Sequence, residues 1–354
     1  MTSFPRREKF WPLFSKRLPL AIAVLCCVPP LTAQTFTSFD APGAGTGLDQ
    51  GTFASCINKN GVIAGSYIDS AGLRHGFVRS ASGVFAEFDA PNLTGTVSNA
   101  INGLGQVVSL GTRTTGGQGH DHGYLRTASG AFVAVNAPGA TDTQPTGIND
   151  AAVVTGTFAD SQNVWHGFLR YANGTYTTFD APGSSTQSGL GTFVNGINAN
   201  GAVTGRYFDN VQQLVHGFIR DQFGNFTTFD AGPLGTVAQA INLSGEVTGY
   251  YFDNVGSGTH GFLRDAAGNI TSFDPTGSQG TFGDSINDAG TIVGYWFNAP
   301  GSSLGFERNT SGSVISFSAL PPDITVAAGI NNGGHMTGYY NDNNKNRVAH
   351  GFVK

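Results

Sequence analysis

The sequence is short of cysteine, of charge and of helical periodicity, and each shortage excludes something. Of its three cysteines, Cys26 and Cys27 fall within the segment from Met1 to Ala33, so Cys56 stands alone in the rest of the chain. No intramolecular disulfide is then possible, and stability has to come from packing. Only 12% of the 354 residues are charged. Five of the 18 Lys+Arg but one of the 23 Asp+Glu lie between Met1 and Ala33, leaving 13 and 22 and a net charge of −9. That balance disfavours nucleic acid and anionic membrane surfaces as partners. After Ala33 no stretch has apolar residues at helical spacing, and none is long enough to span a membrane.

The N-terminal segment up to Ala33 is different. Arg6, Arg7, Lys9, Lys16 and Arg17 precede an apolar run from Leu18 to Leu31, and Thr32-Ala33 supplies small residues before Gln34. This predicts a secretory signal peptide over 1–33 and a secreted mature chain, extracellular or periplasmic, with no membrane span. Leu25 before Cys26 argues against a lipid anchor.

What is there instead is a repeat. Ile-Asn recurs at Ile57-Asn58, Ile101-Asn102, Ile148-Asn149, Ile197-Asn198, Ile241-Asn242, Ile286-Asn287 and Ile330-Asn331, at steps of 44, 47, 49, 44, 45 and 44. Each anchor opens the pattern Ile-Asn-x-x-Gly-x-Val-x-Gly-x-aromatic-x-Asp, then His-Gly-Phe-x-Arg, then Phe-x-x-Phe-Asp. Apolar and polar residues alternate over short runs broken by Gly, Asn and Asp, the period of strands. Four strands per repeat are predicted, termed here first to fourth. The last repeat lacks a fourth strand, and Phe36–Asp40 is a fourth strand without a repeat. Together they predict an all-β fold: a seven-bladed β-propeller of four-stranded blades, closed by the N-terminal strand, in a single domain over 34–354.

Spacing orients the unit. The step from the third-strand His to the fourth-strand acid never changes, whereas the second-to-third and fourth-to-first connections vary. One face is therefore uniform and the other variable, and variable loops on a rigid frame are where binding sits. Two long fourth-to-first loops, 41–55 and 181–195, and a Gly-rich loop from Thr112 to Asp121 are expected on the variable face.

Six repeats carry His in the third strand. The fixed spacing sets His75 opposite Asp89, His122 opposite Asn136, His166 opposite Asp180, His216 opposite Asp230, His260 opposite Asp274, and His350 opposite Asp40. Where Leu304 replaces His, Ser318 replaces the acid. Six identical copies point to a structural pair rather than to catalysis or metal binding. The basic residue four after His (Arg79 to Lys354) is expected at the uniform face, solvated or bonded to the turn. Asp69, Asp160, Asp209, Asp253 and Asp342 suit turn hydrogen bonds, and no EF-hand spacing is present. Cys56 aligns with Ala100, Gly147, Gly196, Ala240, Ser285 and Gly329 and reads as a small residue in a tight place. Gly301-Ser302-Ser303-Leu304-Gly305 matches Gly-x-Ser-x-Gly without the helix that motif needs.

The residue before the His obeys no repeat rule: Arg74, Asp121, Trp165, Val215, Thr259, Ser303 and Ala349. Trp165, with Arg74 and Asp121, is the candidate ligand contact, since an unforced Trp at the variable end suits a sugar or a peptide.

On the Ile-Asn-x-x-Gly-x-Val-x-Gly and His-x-Phe elements the chain resembles the HAF-repeat family of bacterial extracellular repeat proteins. Gly replaces Ala in the middle of the second element, and Tyr124 stands for Phe in repeat two. The resemblance implies an exported repeat protein and carries over no catalytic residues. The expectation is a non-enzymatic binding or scaffold module for an extracellular glycan or protein, monomeric, with no cofactor and no metal. A propeller-based hydrolase or lyase acting on a polysaccharide or other extracellular substrate is the alternative.

Overall fold

A computed structural model describes residues 35–115, 118–253, 258–299, 301–319, 324–342 and 347–354. The signal-peptide expectation lies outside them. The described residues are all-β, with 28 strands and no helix; none could therefore cross a membrane as an apolar helix.

Repeat one shows the unit: β2 (Gly51–Ile57), β3 (Ile63–Ile68), β4 (Arg74–Arg79) and β5 (Phe85–Phe88). All three pairings are antiparallel. The tight β2–β3 turn is built by Asn58, whose Oδ1 accepts from Asn60 N and Val62 N, both at 3.0 Å. Gly61 at φ 75° completes it, a conformation that costs glycine little. The third-strand Phe is the deepest residue of the unit: Phe77, Phe168, Phe218, Phe262, Phe306 and Phe352 are all fully buried. The preceding Gly has a steric reason. A Cβ on Gly261 would sit 2.5 Å from the Phe273 ring, and one on Gly351 would collide likewise with Phe39.

The termini meet. β1 (Thr37–Phe39) pairs antiparallel with β28 (Ala349–Val353), Ser38 opposite Phe352. The first strands β2, β6 (Thr94–Ile101), β10 (Asp142–Ile148), β14 (Thr192–Ile197), β18 (Gly235–Ile241), β22 (Gly280–Ile286) and β26 (Thr325–Ile330) each lie against the next, and β26 lies against β2. Each Asn of Ile-Asn donates its Nδ2 to the carbonyl of the next: Asn58 to Asn102 (2.9 Å), Asn102 to Asn149 (3.1 Å), Asn149 to Asn198 (3.3 Å), Asn198 to Asn242 (2.9 Å), Asn242 to Asn287 (3.1 Å) and Asn287 to Asn331 (3.2 Å). Asn331 donates back to Asn58 at 3.0 Å. The anchor that marks the period is thus itself the contact between repeats.

Three expectations need correction. The strands do not fall into seven separate sheets. Single parallel bridges such as Gly51 with Ala349 and Val215 with Gly235 join repeats, giving sheets of 8, 4, 12 and 4 strands. The loops expected over 41–55 and 181–195 are shorter, because β2 starts at Gly51 and β14 at Thr192. The loop expected from Thr112 to Asp121 is largely strand: β7 (Val107–Thr115) and β8 (Gln118–Arg126) stay paired out to Thr115 opposite Gln118. There Gly and Thr tolerate an extended hairpin, and glycine content alone does not separate that from a loop.

Candidate functional site

The third-strand His is held from two sides. His216 Nδ1 lies 2.7 Å from Asp230, and its Nε2 lies 3.2 Å from Asp209. His75 sits between Asp89 (2.8 Å) and Asp69 (3.3 Å), His166 between Asp180 (2.8 Å) and Asp160 (3.5 Å), and His260 between Asp274 (2.7 Å) and Asp253 (3.0 Å). His350 faces Asp40 at 2.9 Å and Asp342 at 3.9 Å. An aromatic ring covers each, Tyr207 on His216 at 5.1 Å between ring centres and Tyr67 on His75 at 4.9 Å. His122 differs: it meets Asn136 at 3.3 Å, and Gly111 stands where the aromatic would be.

The second carboxylate was hidden from the sequence, where Asp69 and its equivalents look like turn residues. They are turn residues as well. Asp69 Oδ1 accepts from Ala71 N and Leu73 N, which leaves Oδ2 for His75. Burial lowers the pKa of His75, His216 and His260, but the hydrogen bonds and charges of the two carboxylates outweigh it, and all three end above the ordinary His value.

The basic residue of the third strand is neither free nor confined to its turn. Arg79 lies 4.5 Å over Phe39, Arg126 over Phe88, Arg220 over Phe179, Arg264 over Phe229, Arg308 over Phe273 and Lys354 over Phe317, each ring belonging to the preceding repeat in the cycle. The position before Arg170 in that series is Val135, which has no ring to offer. Such cation–π contacts tie one repeat to the next.

Cys56 is partly buried, its thiol 3.7 Å from the Ala64 carbonyl, and burial pushes its pKa up to about 12. A thiol so hard to ionise is a poor nucleophile. Ser302 and Ser303 open the strand Ser302–Arg308, and Ser303 Oγ donates to the Thr325 carbonyl. No group of three or more metal-ligating side chains is found among the described residues.

The three candidate ligand contacts sit at one register in three consecutive repeats, each half-buried. Arg74 donates to Ser66 Oγ (3.1 Å) and lies 5.2 Å over the Phe53 ring. Asp121 accepts from Thr112 Oγ1 (3.1 Å) and from Gln144 Nε2 of the next repeat (2.8 Å). Trp165 stacks on Phe193 of the next repeat at 5.5 Å. Arg74 spends its contacts within its own repeat, Asp121 and Trp165 reach across to the next, and none of the three meets another.

Two further features were not singled out from the sequence. At the Ile-Asn end, a cavity of about 270 Å³ is lined by all seven Ile of the anchors and every anchor Asn but Asn287, with Lys59, Asp150 and Asp288. Lys59 and Asp150 pair across its rim at 2.6 Å. The second lies along the first strands. Each is bulged, and the bulged residue is Ser55, Asn99, Thr146, Asn195, Gln239, Asp284 or Ala328. Asn99 and Asn195 donate to the Pro145 and Ala238 carbonyls of the next repeat. Asp284 has no hydrogen-bond donor among the described residues, and desolvation pushes its pKa up to about 8. Its charge is felt by Tyr250, Tyr295 and Tyr339, which occupy one second-strand position in repeats five, six and seven. That position is Ser66, Leu110, Thr157 and Arg206 in the first four repeats. The signal in the sequence was this run of three Tyr at an otherwise irregular position.

No family model and no curated protein matches the chain. Solved structures do. Virginiamycin B lyase from Staphylococcus aureus aligns with a TM-score of 0.54 at 13% identity, over 90% of this chain and 99% of that one. The β-propeller domain of the Trilobed protease from Pyrococcus furiosus gives 0.57 at 10% identity, over 85% and 95%. Acylaminoacyl peptidase from Pyrococcus horikoshii gives 0.55 at 9% identity, over 86% of this chain and 51% of that one. At these identities the likeness is one of fold alone: this all-β chain is built like the β-propeller proteins.

Proposed function

We propose that the chain is a secreted, non-enzymatic binding or scaffold module, a seven-bladed β-propeller of four-stranded blades closed by its N-terminal strand. Its variable face would take an extracellular glycan or protein. The reading of the fold rests on the Asn circuit from Asn58 back to Asn58 and on the β1–β28 pairing. The resemblance to HAF-repeat proteins and the basic-then-apolar start of the chain support export.

The observation that carries the functional reading is where the reactive side chains are spent. Each repeat His is engaged by a carboxylate or amide of its own sheet, or by Asp40 across the terminal pairing, and most lie under an aromatic ring. A His so used is part of the frame. What varies between repeats is the residue just before that His, Arg74, Asp121 and Trp165 in the first three, half-buried beside Phe53, Gln144 and Phe193. Aromatic and Arg side chains with fixed rotamers are good contact residues for sugars and peptides. The test is a glycan and protein array probed with the purified protein. Saturable binding to a defined glycan or protein is expected, and hydrolysis or eliminative cleavage of arrayed polysaccharides without retention would replace this reading by the enzymatic one.

A further inference from the structure

Asp284 belongs to none of the repeat's devices. At the equivalent bulge, Asn99 and Asn195 use their amide to donate across the seam. An ionised carboxylate in that place can only accept, and no described residue donates to it. It is nonetheless half-buried, so solvent reaches the site. No cation answers it: desolvation alone acts on Asp284, while Arg206 and Arg74 act on Tyr250 and Tyr339 and stack on Phe193 and Phe53. The groups that feel its charge are the aromatic Tyr250, Tyr295 and Tyr339. Phe282, two residues before it, stacks with Tyr295 at 4.8 Å and meets Tyr250 edge-on at 4.9 Å, while Tyr339 packs on Phe53 at 5.1 Å. The three Tyr are half-buried, and none of their hydroxyls has a hydrogen-bond partner among the described residues.

We propose that Asp284 with Tyr250, Tyr295, Tyr339 and Phe282 forms a binding site for an organic ammonium group, the carboxylate supplying the counter-charge and the rings their π faces. A cation is what this arrangement lacks. A desolvated carboxylate without a partner is costly, and a weakly hydrated ammonium offsets that cost while gaining cation–π attraction. A glycan hydroxyl would leave the charge unanswered. This goes beyond the variable-face reading and does not depend on it.

Protonation links directly to binding. With its pKa at about 8, Asp284 is mostly neutral at pH 7, and the ammonium has to displace that proton. The titratable groups facing it are Tyr250 on β19 (Val247–Phe252), Tyr295 on β23 (Ile292–Ala299) and Tyr339 on β27 (Met336–Asn341), each shifted upward, first by burial. The facing strands β18 and β26 contribute no ionisable side chain. Affinity therefore rises about tenfold per pH unit up to pH 8 and levels off above it.

The experiment is calorimetric titration of the purified protein with tetramethylammonium chloride and with choline chloride, at constant ionic strength, from pH 6 to 9. The expected result is binding that strengthens with pH as stated and is lost, by at least tenfold, in Asp284→Asn. That variant should fold as well as the parent, since it supplies the amide that Asn99 and Asn195 use. Tyr295→Leu provides a second variant with the carboxylate kept, and should weaken binding about tenfold. No binding of either cation at pH 9, affinity independent of pH, or affinity unchanged in Asp284→Asn would overturn the proposal. A protein that binds arrayed glycans or proteins yet neither cation leaves the variable-face reading standing and removes this one.

Discussion

Asn331 donates its side-chain amide to the main-chain carbonyl of Asn58, 273 residues earlier, at 3.0 Å. The same bond links every successive pair of anchors, so the Ile-Asn motif is both the turn-former of its own hairpin and the clasp on the next. Asn331 Oδ1 meanwhile accepts from Gly333 N and His335 N. Asn331→Ala breaks three buried or half-buried hydrogen bonds at once. Equilibrium urea unfolding should show a loss of about 1–3 kcal/mol. A loss below about 0.5 kcal/mol would mean the clasp contributes nothing.

Removal of the N-terminal strand should be far more damaging than its length suggests. Residues 35–41 supply the β1–β28 ladder, the Asp40–His350 bond at 2.9 Å, and Phe39, which is buried beneath Arg79 and beside Phe77. A chain beginning at residue 42 should lose at least about 3 kcal/mol relative to one beginning at 34. Equal denaturation midpoints would show that the β1–β28 pairing is dispensable.

The His–carboxylate units predict a pH dependence with a defined sign. His75, His216 and His260 have folded pKa values above their unfolded value of about 6.5. Their stabilisation is therefore complete below about pH 6.5 and is lost as pH rises through the raised values. Partly exposed partners such as Asp230 limit it to about 1 kcal/mol or less for each His. Unfolding free energy measured from pH 5.5 to 8.5 should fall for the wild type and fall less for His216→Asn. A rise in stability across that range would contradict the assignment.

Repeat six supplies its own control, for Leu304 and Ser318 occupy the His and Asp places. His216→Leu alone removes the partner of Asp230 and leaves Asp209 only its turn bonds; adding Asp230→Ser reproduces the natural pair. A double-mutant cycle should show a favourable coupling between His216 and Asp230 of about 0.5–1 kcal/mol. Additive effects would indicate that the two positions vary together for another reason.

The Gly of His-Gly-Phe is set by the fourth-strand ring above it. Gly261→Ala places a Cβ against Phe273, and a packed core answers such an insertion with a loss of about 1–3 kcal/mol. Thermal unfolding monitors it directly, and an unchanged midpoint would show the ring free to move.

The period, the strand pattern and the His216–Asp230 register could be read from the sequence because they follow from local alternation and fixed spacing. The contacts between repeats could not. Arg220 reaches Phe179 of the previous repeat and Asn58 reaches Asn102 of the next, and nothing near either residue in the chain marks its partner. Asp209 has two lone-pair directions in use, and only the turn-forming one leaves a pattern in sequence. Asp284 was missed for a different reason: its surroundings come from three repeats, and it becomes unusual only beside Asn99 and Asn195 at the same bulge.

The central claim is that the repeated chemistry is frame and that recognition lies in what departs from the repeat at the variable end. The most direct measurement is the affinity, for whichever arrayed glycan or protein the protein retains, of three variants whose folding has been verified. Trp165→Ala and Arg74→Ala should each weaken binding about tenfold or more, while His216→Asn leaves it within about twofold. Full affinity in Trp165→Ala and Arg74→Ala, or a contact surface mapped to the Ile-Asn end around Lys59 and Asp150, would contradict it.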